Sequence, residues 1–114
     1  MKNEDTQQLM QNVMSAAWKV RREYGPGLPE SAYKFALVNE LRRQGIRAEQ
    51  KKLHDNTGVV VENSLLLGLR CVDRITRLHS TQLGHALRNL RFKKGLLLNF
   101  NSTFIRQGAL PVSI

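Results

Sequence analysis

The chain has 114 residues, enough for one domain, 1–114, with a single core and too few for a second. No apolar run approaches a membrane span, and the polar start Met1-Lys2-Asn3-Glu4-Asp5 does not read as a signal peptide. The lone cysteine, Cys71, excludes an internal disulfide and a cysteine metal cluster and fits a packing role in a reducing, cytoplasmic setting, while a formal charge of +9, from 18 Lys and Arg against 9 Asp and Glu, favours a polyanionic partner.

In chain order, Leu9, Met10, Val13, Met14, Ala17, Val20 and Tyr24 recur at helical spacing, so the first segment is an amphipathic helix with Lys19, Arg22 and Glu23 outward. It stops at Gly25-Pro26-Gly27, where permissive residues flank one that cannot donate a backbone hydrogen bond. A second helix starts at Pro29, with Glu30 favoured by the helix dipole, and buries Tyr33, Ala36, Leu37 and Leu41. Arg42 and Arg43 occupy its last turn and Gly45 closes it.

Ile46 to Leu53 then reads as a polar edge strand, because Arg47, Glu49, Lys51 and Lys52 leave little to bury. Gly58 to Glu62 and Ser64 to Val72 read as a hairpin turning at Glu62-Asn63-Ser64. Glycine weakens a strand interior, so Gly58 and Gly68 need an account; the ordinary one is a strand start at Gly58 and a bulge or a close helix approach at Gly68. Thr76 fits the N-cap of a third helix facing inward through Leu83, Ala86, Leu87 and Leu90, with Gly84 an unfavourable interior residue. Gly95 to Phe100 is apolar enough for a central strand covered on both faces, and the tail from Asn101 to Ile114 either adds a strand or lies along the surface. The fold class is therefore α/β, a small mixed sheet flanked by helices in the order ααβββαβ(β).

Charge is uneven along the chain. Between Arg70 and Lys94, the cations Arg70, Arg74, Arg77, Arg88, Arg91, Lys93 and Lys94 are opposed by Asp73 alone. Two readings stand side by side: phosphate contacts to nucleic acid, or a solvated basic face and a surface for an acidic protein.

The stretch Gly27-Leu-Pro-Glu30-Ser-Ala-Tyr33 fits a GxxExxY signature. Together with Glu40-Leu-Arg-Arg-Gln-Gly45, Leu78-His79-Ser-Thr-Gln82-Leu83 and Lys94-Gly-Leu-Leu-Leu-Asn-Phe-Asn101, it resembles the GxxExxY proteins of the PD-(D/E)XK nuclease superfamily, from about Val13 to Asn101. The resemblance implies a nuclease-like fold; the segment between Leu53 and Gly58 departs from it, being shorter than the family's usual connection and lead-in strand, so a sheet short of one strand is the expectation there. The resemblance also implies a site in which an acid on one strand and a Glu-x-Lys or Asp-x-Lys on the next hold a divalent metal. Residues two apart in a strand share a face, so acid and lysine converge on one phosphate. Aligned on Val61-Glu62-Asn63, the first acid falls at Gly58, the second at Gly68 and the lysine at Arg70. Glycine has no side-chain ligand, and arginine stays protonated, able to hold a phosphate and poorly able to act as a base.

The resemblance leaves Glu30, Arg70 and Gln82 as catalytic remnants, with Ala86 where related members carry a tyrosine, and assigns no metal site. Glu30 reads equally as a first-turn helix charge, and His79 more readily as a surface or capping residue than as a ligand; His54 and His85 form no ligand spacing with it. The expectation is a catalytically inactive nuclease-fold protein that binds nucleic acid through Arg70, Arg74, Arg77, Arg88, Arg91, Lys93 and Lys94, without cofactor or membrane. The alternatives are a protein-interaction or homo-oligomerisation module on the same scaffold, or a residual nuclease using Mg²⁺ or Mn²⁺ through Glu30.

Overall fold

A computed structural model describes residues 3–53, 56–102 and 105–114. Helices α1 (Asn3–Tyr24) and α2 (Glu30–Arg43) precede strands β1 (Ala48–Lys52), β2 (Thr57–Val61) and β3 (Leu65–Arg70); then come α3 (Arg77–Leu90), β4 (Lys94–Asn99), a 3-10 turn (Ile105–Gly108) and β5 (Ala109–Ser113). The five strands form one sheet in the order β1-β2-β3-β4-β5. Only β3 and β4 run parallel, joined through α3; the other neighbours are antiparallel. This is the expected α/β order with the optional last strand present, five strands in all.

Strand alternation sends two apolar sets to opposite faces. Val59, Val61, Leu65, Leu67, Leu69, Leu96 and Leu98 pack with Leu9, Val13, Ala17 and Val20 of α1 and Tyr33, Leu37 and Leu41 of α2. Val60, Leu66 and Leu97 meet Leu83 and Leu87 of α3 on the other. The helices therefore cover both faces. Tyr24, expected in the inner face of α1, is exposed instead, because the helix ends there and Gly25 leaves it at positive φ. Pro29 sits just outside α2 rather than in its first turn.

The hairpin turn places Glu62 and Asn63 at positive φ, the I′ pattern that matches strand twist, here without glycine. The Glu62 carboxylate accepts from the Arg47 backbone N–H at 2.9 Å, tying the turn to the chain entering β1. Gly58 is not a strand start: it is the second residue of β2 and buried. Gly68 is no bulge either, since the β3–β4 pairing runs unbroken from Leu65 to Arg70.

At the outer edge, Ile114 N–H donates to Lys93 O, so by alternation the backbone nitrogens of Ser113, Pro111 and Ala109 face away from β4. Proline stands where an outward donor would be and blunts that edge. At the other edge, β1 carries Glu49, Lys51 and Lys52, all exposed.

Two positions give direct stability tests. Gly84 lies inside α3, and a Cβ there would meet only Arg88 Nη1 at 4.0 Å. Gly84→Ala should therefore raise stability by about 0.5–1 kcal/mol, read as a higher midpoint in urea. Glu40 accepts from Arg43 Nη2 and Gln44 Nε2, each at 2.6 Å, and lies 3.6 Å from Lys19 Nζ. The Arg43 hydrogen bond, then that of Gln44, brings its carboxyl from the ordinary 4.5 down to about 2. A carboxylate with a lowered folded-state pKa stabilises above its ordinary value and loses that contribution as pH falls through the lowered one. The stability difference between the wild type and Glu40→Gln should thus shrink between about pH 4.5 and 2, followed by thermal melts across that range.

Candidate functional site

On β3, alternation turns Leu65, Leu67 and Leu69 toward α1 and α2, and Leu66, Gly68 and Arg70 toward α3. A cavity of about 600 Å³ opens on that second face. Gly68 and Arg70 line it from the sheet and Leu78, Gln82, Ala86 and Leu90 from α3; Lys52, Leu53 and Asn56 form the opposite wall.

The β2–β3 register pairs Val59 with Leu67 and Val60 with Leu66, so extending it by one residue sets Gly58 opposite Gly68. Residues directly opposite in an antiparallel pair share a face. The two glycines therefore lie side by side, on the face that carries Arg70. Their surroundings differ. A Cβ at Gly58 would lie 3.0 Å from Leu53 Cδ1, Leu66 Cδ1 and the backbone Leu67 O; one at Gly68 would lie 3.0 Å from Leu97 Cδ2 and 3.3 Å from Leu83 Cδ1. The expected close helix approach at Gly68 is thus real, made by Leu83 of α3.

Tyr33 sets the entry to α2. Its hydroxyl donates to Gly25 O and accepts from Leu28 N at 3.3 Å, and its ring stacks on Phe100 with centroids 4.8 Å apart. This pins the turn at Gly25 and Gly27, both left-handed, and so fixes where Glu30 starts the helix. Glu30 Oε1 then lies 4.0 Å from Arg70 Nη1 and 3.8 Å from Lys34 Nζ. Both cations are nearly buried, with 13% and 7% of their side chains exposed.

Arg70 is further restrained by donating from Nη1 to Leu69 O at 2.8 Å. With its amide oxygen turned toward the guanidinium, Asn56 accepts from Nη1 and Nη2 at 2.8 and 2.7 Å. Glu30 is thus both the first-turn acid of α2 and the partner of Arg70. Cys71, half-buried beside them, has its thiol pKa pushed up by burial and then by the nearby Glu30 charge.

Asn99 closes the same end of the sheet. Its Oδ1 accepts from Val72 N and Asn101 N at 3.1 Å, and its Nδ2 donates to Val72 O at 2.8 Å. The Asn-Phe-Asn segment therefore latches the chain leaving β3 onto the end of β4, with Phe100 stacked on Tyr33. This is a scaffold role, two residues beyond Arg70.

The remaining predicted residues separate. Gln82 is exposed on the cavity wall, as is His85 on the same helix. His79 Nδ1 accepts from the Thr76 backbone N–H at 2.9 Å, so it caps α3, while His54 lies outside the described residues. Arg74 and Arg77 are exposed at the α3 N-terminal end. Arg88, Arg91 and Lys93 surround a shallow concavity with Phe92 at the opposite end of α3, and Lys94 reaches Ser113 Oγ at 3.4 Å. A 14-residue helix spans about 20 Å, so the seven cations form two groups rather than one patch.

Sequence reasoning missed Lys34, Asn56, Lys52 and Leu53. Lys34 had a readable signal, four residues after Glu30 on one helix. Asn56, Lys52 and Leu53 are brought to the wall by the β1–β2 pairing, which local pattern does not reveal.

The donor set of the described residues does not fit a divalent metal. Among the described residues, no group of three or more His, Cys, Asp or Glu side chains is placed to hold one. Hard cations require several oxygen ligands, and Glu30, the carboxylate that the described residues place near Arg70, already faces two basic side chains. The arrangement can instead hold an anion or a polar group against Arg70.

The family model of the PD-(D/E)XK nuclease superfamily matches residues 7–110, and the chain belongs to that superfamily. No curated protein and no solved structure matches it significantly. No helix among the described residues is long and apolar enough to cross a membrane.

Proposed function

We propose that this member of the PD-(D/E)XK nuclease superfamily is one of its GxxExxY proteins and binds nucleic acid through a basic surface without hydrolysing it. The observation that carries the reading is the β2–β3 register, which, extended by one residue, sets Gly58 beside Gly68 on the face bearing Arg70. Where the superfamily resemblance calls for two carboxylates, neither position offers a ligand, and the position of the lysine keeps a restrained positive charge. Arg70, Arg74 and Arg77 would engage phosphates at one end of α3, and Arg88, Arg91, Lys93 and Lys94 at the other.

Binding of this kind is dominated by counterion release and falls steeply as salt rises. Equilibrium titration at low salt against single-stranded, duplex and branched DNA and RNA should show affinity that is lost on adding salt. No affinity for any of them would overturn the proposal.

A protein-interaction role has one observation in its favour, the exposed Trp18 of α1 and Phe35 of α2, at 48% and 64%. A defined stoichiometry by light scattering, unchanged by nuclease treatment and accompanied by no nucleic-acid affinity, would select it instead.

A further inference from the structure

The cavity is elongated along α3. Leu78, Gln82, His85, Ala86, Asn89 and Leu90 all line it, and their spacing is that of one helix face followed from its first turn to its last. Between Leu78 and Leu90 that face runs about 18 Å. The opposite wall is the β1 end with Leu53 and Asn56. Leu78 is 63% exposed at the lip, and leucines continue inside, whereas Gln82, His85 and Asn89 are exposed around them. Cations stand at both ends: Arg70 of β3 and Lys52 of the opposite wall at one, and Arg88, Arg91 and Lys93 beyond the last turn of α3 at the other.

From this groove we infer that the ligand is single-stranded nucleic acid, with its bases seated between α3 and the wall made by Leu53 and Asn56 and its backbone running between the two cationic ends. The inference rests on the nucleic-acid reading above and specifies its substrate class. Charge complementarity selects a polyanion, and the groove wall selects which kind. A duplex offers phosphates and base-pair edges with its base faces stacked away, so it leaves the leucine slot without a partner. An unpaired base supplies both a flat apolar face for the leucines and a hydrogen-bonding edge for side-chain amides, which donate and accept. Among the described lining residues the aromatic ring is the imidazole of His85, and no Phe, Tyr or Trp stands there, so the bases are held mainly among aliphatic side chains rather than stacked on a platform.

The test is fluorescence anisotropy at low salt with a mixed-sequence single strand, the duplex formed from it, and the RNA of the same sequence. The single strands should bind about tenfold or more tightly than the duplex. Leu78→Ser and Gln82→Ala, both at exposed positions, should each weaken single-strand binding several-fold and leave duplex binding and the melting curve unchanged. Duplex binding equal to or tighter than single-strand binding, or groove variants that bind single strands as the wild type does, would overturn this inference while leaving the nucleic-acid reading intact. Absence of binding to all three would overturn both.

Discussion

Gly58→Asp is expected to lower folding stability by about 3 kcal/mol or more, whereas Gly68→Glu should cost about 1–2 kcal/mol. The difference comes from what surrounds each Cα. At Gly58 the new Cβ would press on two leucine methyl groups and on the Leu67 carbonyl, each at 3.0 Å, and a backbone oxygen cannot rotate away. The carboxylate that follows would be buried on a leucine-lined face, where an unpaired charge is costly. At Gly68 the crowding atoms are ends of the Leu97 and Leu83 side chains, and the cavity is open beside them, with Arg70 two residues on along the same face. Chemical denaturation of both variants separates the two cases. Equal costs would mean that Leu53 and Leu66 move aside freely and that the first acid position is not sterically closed.

The second large effect is expected at Arg70. Arg70→Ala should weaken nucleic-acid binding by roughly tenfold to a hundredfold, since it removes a charged contact worth about 1.5–3 kcal/mol, while fold stability changes less. Glu30 is not orphaned by the change, because Lys34 remains 3.8 Å away. Arg70→Lys should recover part of the affinity and not all of it. A lysine restores the point charge but cannot donate from two nitrogens to Asn56, so the cation would no longer be held in one orientation. Anisotropy titrations of the three proteins at one salt concentration give the comparison. An unchanged affinity in Arg70→Ala would remove Arg70 from the interface and leave the outer cations to account for binding.

The elements most legible in the sequence were those whose burial is local and periodic. Val13, Ala17 and Val20 mark α1, Leu37 and Leu41 mark α2, and the β-branched run Val59 to Val61 followed by Leu65 to Leu67 marks the hairpin. β5 was ambiguous for a physical reason: Ala-Leu-Pro-Val-Ser contains a proline and no clear alternation, and it becomes a strand through its pairing with β4. The same division holds at the site. The candidates Glu30, Arg70 and Gln82 were visible as residue types in motifs, but Glu30 reaches Arg70 only because Tyr33 pins the turn before α2 and Asn99 latches the chain after β3. Asn56 and Leu53 carried no signal, since their importance arises from the β1–β2 hairpin folding over the cavity. The cationic run was legible as charge and misleading as geometry: α3 separates it into two ends, a division that a count along the chain cannot reveal.

The most direct test of a nuclease fold that binds without cutting is to follow binding and integrity together. The protein is incubated with end-labelled single-stranded and duplex DNA and with RNA, in Mg²⁺ and separately in Mn²⁺, and each sample is divided between a native gel and a denaturing gel. The account predicts a shifted band on the native gel and full-length nucleic acid on the denaturing gel. Metal-dependent cleavage that EDTA abolishes and that disappears in Glu30→Ala would contradict it.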